Sequence, residues 1–272
     1  MKMTKKILSF LAAVAVSVAV FGTSDVQAEE MKNIATNTVV TDSLESGDDT
    51  NYYVFTVDKS GYIEVEFTKV DLASNVNGGW WIWLCDVNGA SHRYWQGYKT
   101  SFVSPKMNYK AGTKLYVKIA AACDWDAPVG VAYSLKIKTT ADSSWEQEDN
   151  DSSSAATVIG PNQEKTGSLI YSLVKDDIDY YAYTVDRKGY FEVEFSKKNP
   201  TDEAAHGWSI VLYNQSGQEI DRYNGCETAL TTQKYNFKPG TKVYVAVYPG
   251  WIYEIPGDIQ YTIKINQVAK TN

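Results

Sequence analysis

Residues 176–195 read DDIDYYAYTVDRKGYFEVEF, and residues 48–67 read DDTNYYVFTVDKSGYIEVEF. The two stretches lie at a fixed offset of 128, which also carries Leu84 onto Leu212 and Tyr133 onto Tyr261. A repeat at that spacing and fidelity marks a duplicated module. Inside the stretch the apolar pattern has period two: Phe191, Val193 and Phe195 alternate with Tyr190, Glu192 and Glu194. That alternation is the signature of a strand with one buried face.

Working outward, turn signals recur about every ten residues. Gly189 follows Asp186-Arg187-Lys188, Gly217 ends Asn214-Gln215-Ser216, and Pro239-Gly240 leads into Val243 to Tyr248. Lys110-x-Gly112-Thr113-Lys114-x-Tyr116-Val117 returns as Lys238-x-Gly240-Thr241-Lys242-x-Tyr244-Val245. No stretch has helical period over a useful length. The expectation is an all-β chain of two tandem antiparallel β-sandwich domains, residues 29–140 and residues 141–272.

Residues 1–28 stand apart. Lys2, Lys5 and Lys6 precede an apolar run from Ile7 to Phe21, and Val26-Gln27-Ala28 ends it with a small residue, the pattern of a secretory signal peptide. Its removal takes away Lys2, Lys5, Lys6 and Asp25, a net +2, and moves the formal charge from −7 to −9. Such a balance disfavours nucleic acid, whose binding rests on neutralising phosphates. A secreted, extracellular chain with no membrane anchor is expected. Three cysteines, Cys85, Cys123 and Cys226, are too few for a disulfide framework. A Cys85–Cys123 bridge and free core cysteines both fit.

Between the halves lies Trp145 to Thr157, WEQEDNDSSSAAT. Glu146, Glu148, Asn150 and Asp151 offer side-chain oxygens of the kind that a hard cation such as calcium takes. A solvated acidic linker has the same composition.

The order of pieces in the second half resembles the bacterial pre-peptidase C-terminal domain, a family that includes the collagen-binding domains of clostridial collagenases. The resemblance rests on the E-x-E-x-N-D opening with Ala156-Thr157, Gly167-Ser168-Leu169, Asp176-Asp177-Ile178-Asp179-Tyr180-Tyr181, Leu212-Tyr213-Asn214 with Gly217, Lys238-Pro239-Gly240-Thr241, and Tyr261-Thr262-Ile263. It implies a jelly-roll-like sandwich without catalytic activity, accessory to secreted enzymes. It further implies calcium held in the second domain by Glu146, Glu148, Asn150, Asp151, Asp176 and Asp179. The first half departs from the pattern: Asn51 stands where Asp179 does, and Glu29 to Thr36 lacks the acidic order.

The first half carries instead an excess of aromatics, among them Trp80, Trp81, Trp83, Tyr94 and Trp95. Trp80 matches Trp208 and shares a face with Ile82 and Leu84, which makes it core. Trp81 and Trp83 fall on the opposite face, suited to a sugar ring or an extended peptide. Packing under a loop would use them equally well. Trp125 and Trp251, in matching loops before the last strand of each half, form a second candidate ligand surface with Tyr248.

The chain lacks G-x-S-x-G, H-E-x-x-H and a cofactor glycine loop, and has only His92 and His206. Glu64/Glu66 and Glu192/Glu194 suit cross-strand pairing with lysine better than acid–base work. The expectation is a non-catalytic binding module for an extracellular polysaccharide or protein, a glycan or collagen-like peptide. The alternatives are a structural or surface-interaction protein and an accessory chaperone or inhibitor of a secreted peptidase.

Overall fold

Alternation in the sequence becomes alternation in burial: Gly61–Lys69 and Gly189–Lys197 place Ile63, Val65 and Phe67, or Phe191, Val193 and Phe195, inward, and their glutamates outward. The computed structural model describes residues 31–73, 76, 78–123, 126–169, 177–199, 207–250 and 259–269. The signal-peptide segment lies outside them. Among the described residues there is no α-helix, and no helix is long and apolar enough to cross a membrane.

The first half runs β1 (Lys32–Asn33), β2 (Val39–Asp42), β3 (Thr50–Thr56), β4 (Gly61–Lys69), β5 (Trp80–Asp86), β6 (Ser91–Tyr98), β7 (Ser101–Val103), β8 (Met107–Tyr109), β9 (Lys114–Ala121) and β10 (Tyr133–Ala141). The second runs β11 (Thr157–Val158), β12 (Glu164–Gly167), β13 (Asp179–Thr184), β14 (Gly189–Lys197), β15 (Trp208–Asn214), β16 (Glu219–Cys226), β17 (Ala229–Thr231), β18 (Lys242–Pro249) and β19 (Tyr261–Ala269). Sheet orders β1-β3-β9-β5-β6 and β2-β10-β4-β7 are repeated as β11-β13-β18-β15-β16 and β12-β19-β14-β17. Pairing is antiparallel except at β1 on β3 and β11 on β13. Among the described residues only β8, paired to β4, lacks a named counterpart; there the second half has a single bridge from Tyr235 to Phe191.

Each pair of sheets closes on an aromatic trio. Phe67, Trp80 and Tyr133 meet at centroid distances of 5.2, 5.3 and 6.1 Å, and Phe195, Trp208 and Tyr261 repeat them at 5.3, 5.1 and 6.2 Å. Tilted and edge contacts at these spacings are the favourable ones for ring quadrupoles. On the outer side of the β14/β19 and β4/β10 sheets, Lys136 reaches Glu66 (3.2 Å), Lys138 reaches Glu64 (2.9 Å) and Lys264 reaches Glu194 (3.2 Å). Glu64, Glu66 and Glu194 thus sit in cross-strand ion pairs, as the strand pattern implies, and Glu192 accepts a hydrogen bond from Asn266 (3.2 Å).

The cysteines are all free. Cys85 is buried beside Tyr116 and Val54, Cys226 belongs to the second core, and the Cys85–Cys123 bridge that the sequence leaves open is not formed. His92 hydrogen-bonds Tyr109 (2.8 Å).

Trp208 is fully buried in its trio, so Trp208→Ala is expected to cost about 3 to 5 kcal/mol. Denaturant unfolding of the two chains measures it; a loss under about 1 kcal/mol would contradict the core assignment.

Candidate metal centre and aromatic face

The acidic segment after β10 is stitched along the start of the second half. Trp145 is buried, bridges to Thr166 and packs its ring 5.2 Å from that of Tyr62. The Glu146 amide donates to the Thr166 carbonyl (2.9 Å), the Gln147 amide to Thr157 Oγ1 (3.0 Å), and the Tyr180 amide to the Asn150 carbonyl (3.0 Å). Held extended in this way, the segment turns every second side chain inward. Glu146, Glu148 and Asn150 are buried while Gln147 and Asp149 are exposed. From the other side Asp179, the first residue of β13, and Asp177 two positions earlier are buried against them.

The result is two adjoining carboxylate triads that share Glu148. Oxygens of Glu146, Glu148 and Asp179 lie within 4.8 Å of one another, as do those of Glu148, Asp151 and Asp177. Glu146 accepts hydrogen bonds from the Ser168 amide (2.8 Å), the Tyr181 hydroxyl (2.6 Å) and Asn150 Nδ2 (3.2 Å). Tyr261 donates its hydroxyl to Asp179 Oδ2. Asn108, from β8 of the first half, approaches Glu148 at 3.4 Å. Two buried oxygens here have no partner among the described residues: Asn150 Oδ1 and Asp179 Oδ1. An unpartnered buried acceptor costs about 1 to 3 kcal/mol, so its persistence calls for an explanation.

The charges demand one too. No ion pair among the described residues reaches Glu146, Glu148 or Asp179. Burial pushes the Glu148 carboxyl well up, and the charges of Asp177, Glu146 and Asp151 add to it. Asp179 is likewise raised well above its ordinary value by burial and then by Glu146, Asp177 and Glu148. Burial also raises Glu146, against the hydrogen bonds from Tyr181 and Ser168. A bound cation would remove this penalty, and the all-oxygen donor set is the one that hard divalent ions take.

The duplication supplies an internal comparison. In both halves two tyrosine hydroxyls meet, Tyr53 with Tyr133 (2.7 Å) and Tyr181 with Tyr261 (2.8 Å). Each pair touches a carboxylate: Tyr53 donates to Asp42 (2.7 Å) as Tyr181 does to Glu146. Asn51 stands at the place of Asp179 and donates to the Tyr133 hydroxyl (2.8 Å). Into this same constellation the first half sends an ammonium. Lys32 Nζ bonds Asp42 and lies 2.7 Å from Asn51 Oδ1. Although burial works to raise it, the bonds from Lys32 and Tyr53 hold the Asp42 carboxyl below its usual range.

Strand register shows how the swap is made. Lys32 pairs with Tyr53 where Thr157 pairs with Tyr181, and Asp42 pairs with Tyr133 where Gly167 pairs with Tyr261. The second half has therefore moved its carboxylate from β12 to the acidic segment and has no lysine at the Lys32 position. Gly167 is required by that move, because a Cβ there would lie 2.4 Å from the Tyr261 hydroxyl and 2.7 Å from that of Tyr181.

Of the six residues expected around calcium, Glu146, Glu148, Asn150 and Asp179 come together, and Asp151 is half-buried at the second triad. Asp176 lies outside the described residues. The sequence reading missed Asp177. Strand alternation counted back from Asp179 selects Asp177, two positions away, over Asp176, and could have found it.

Trp81 and Trp83 are half-buried on the outward side of β5, rings 5.6 Å apart, and Trp83 pairs across strands with the exposed Tyr94. Trp95 is a correction: it turns inward against Phe102 (4.9 Å) and belongs to the core, because it neighbours Tyr94 on a strand and must face the other way. Trp125 and Trp251 lie outside the described residues. Tyr248 is engaged by hydroxyl contacts to Tyr180 and Tyr213 (2.9 Å each), a network that strand spacing alone did not reveal.

No family model matches the sequence. Among solved structures the chain is similar to the pre-peptidase C-terminal domain of a collagenase from Bacillus anthracis, at 23% identity over 42% of this chain and 100% of that one, TM-score 0.33. It is also similar to the CUB1-EGF-CUB2 domains of rat MASP-1 (7% identity, 86% of this chain, 100% of that one, TM-score 0.26). A third is the tandem CBM22 domain of Paenibacillus barcinonensis Xyn10C (11% identity, 80% and 83%, TM-score 0.22). With scores of this size, the functional reading rests on the residues themselves.

Gly167→Ala is expected to lower stability by about 1 to 3 kcal/mol through overpacking against the two tyrosine hydroxyls. Urea denaturation tests it; an unchanged midpoint would mean that the site has slack.

Proposed function

We propose that the protein is a secreted, non-catalytic module that binds an extracellular polymer or protein, with calcium stabilising its second half. The observation that carries the calcium reading is the set of buried carboxylates at Glu146, Glu148, Asp177 and Asp179, with two orphaned oxygens, at the place where the first half inserts the Lys32 ammonium. Glu146, Glu148, Asp179, Asp177 and Asp151 would supply carboxylate oxygens and Asn150 its amide oxygen, within the six to eight that calcium takes. Magnesium suits the set less well, since it keeps several waters and is held by one or two carboxylates.

The binding reading rests on the half-buried Trp81 and Trp83 and the exposed Tyr94 on a rigid sheet face. Large, stiff aromatics present contact area at low entropic cost. A collagen-like peptide and a glycan both offer surfaces that such a face can cover. The secreted location follows from the signal-peptide pattern of residues 1–28.

Calcium at a hundredfold excess over Kd should raise stability by about 2.7 kcal/mol, which is roughly 5 to 10 °C in Tm for a chain of this size. Glu146→Gln with Asp179→Asn should lose that response. The pH dependence has opposite signs in the two states. Without calcium the raised carboxyls favour folding below the ordinary carboxylate range, and that contribution is lost as pH rises through their folded values. In chelator, Tm should therefore rise on lowering the pH from about 7.5 to about 5, while the calcium increment shrinks. A melt indifferent to calcium and chelator at both pH values would refute the site.

A further inference from the structure

Across the outward face of the β1-β3-β9-β5-β6 sheet, four residues stand in one cross-strand row. Tyr52 pairs with Lys118, Lys118 with Trp83, and Trp83 with Tyr94. Four neighbouring strands make this a strip of about 14 Å. Directly opposed residues share a face, so all four side chains project together. Buried Val54, Tyr116 and Cys85 lie alongside and stiffen it.

Among the described residues, the cation at the centre of the row has ring faces for partners and no carboxylate. Lys118 Nζ lies 4.9 Å from the Trp83 centroid and 5.8 Å from that of Tyr52, and it makes no hydrogen bond or ion pair with a described residue. Lys136, Lys138 and Lys264, on the opposing sheets, each hold a glutamate. The duplicated face shows the contrast. There the row is Tyr180, Ala246, Val211 and Arg222, and Arg222 is held by Glu219 through two hydrogen bonds of 3.1 and 2.7 Å. Its tyrosines, 180, 213 and 248, close on one another through their hydroxyls. One copy of the face satisfies its own polar groups, and the other leaves its cation open between aromatic rings.

We propose that this row binds an acidic polysaccharide, a uronate carboxylate pairing with Lys118 while sugar rings lie on Trp83 and Tyr94. The inference deepens the polymer-binding reading and rests on it. Charge complementarity selects the acid: an ammonium on a partly desolvated aromatic platform gains more from a carboxylate than one in open water. A peptide is less suited. Lys118 and Trp83 sit on β9 and β5, both interior strands whose backbone groups are taken by neighbours, so the row gives an added strand no edge to pair with.

Titration calorimetry of the full chain in calcium buffer, with a tetragalacturonate and its methyl ester as probes, tests this. The acid should bind at least tenfold tighter than the ester. Lys118→Gln should bring the acid down to the ester's affinity, leave the ester unchanged and keep the parent Tm, and Trp83→Ala should weaken both. Equal affinity for acid and ester, or an unchanged acid affinity in Lys118→Gln, would overturn the proposal and leave polymer binding by the face intact. No binding of either probe, with self-association in sedimentation that Trp83→Ala abolishes, would overturn both and assign the face to a second copy of the chain.

Discussion

Two tyrosine hydroxyls face each other at the centre of each half, and their contact sets a charge problem that the surrounding chain must solve. Tyr53 and Tyr133, like Tyr181 and Tyr261, share a hydrogen bond and direct a proton toward a carboxylate. In the second half that carboxylate, Glu146, is fully withdrawn from water, and a buried charge requires a positive neighbour. The first half solves the problem with a residue of its own, Lys32, brought in by the parallel strand β1. The second half gathers further carboxylates from the acidic segment and from the entry to β13, the arrangement for which we propose a cation from solution.

This division accounts for features that would otherwise be unrelated. Gly167 is small because the tyrosine hydroxyls fill the space beyond its Cα. Asn51 is an amide where Asp179 is a carboxyl, so that Lys32 faces one carboxylate, that of Asp42. The acidic segment is extended, and alternates its burial, because its backbone is hydrogen-bonded to Thr166, Thr157 and Tyr180. The aromatic faces follow a similar logic of satisfied and open groups: Arg222 is held by Glu219, whereas Lys118 has rings for company.

Most of the fold was legible in the sequence, since the offset of 128 and period-two alternation depend on local spacing that the chain writes directly. Trp80 and Trp208 could be placed in the core from alternation alone. The site was legible in part. Glu146, Glu148 and Asn150 share a parity, and the resemblance to a known domain supplied Asp179. Asp177 and the Lys32 substitution were not seen, because they depend on which strands pair and in what register, and residues 32 and 53 meet only through a parallel bridge. Trp95 was misplaced because it was counted with a cluster of aromatics, although its parity on β6 opposes that of Tyr94.

If a cation from solution does in the second half what Lys32 does in the first, the two halves must differ in how they respond to its removal. Hydrogen exchange with peptide-level resolution, in calcium and in chelator, compares them within one molecule. The expected result is that calcium slows exchange across residues 146–151 and 177–182 and leaves residues 32–42 and 50–56 unchanged. Equal changes in both halves, or none in either, would contradict it.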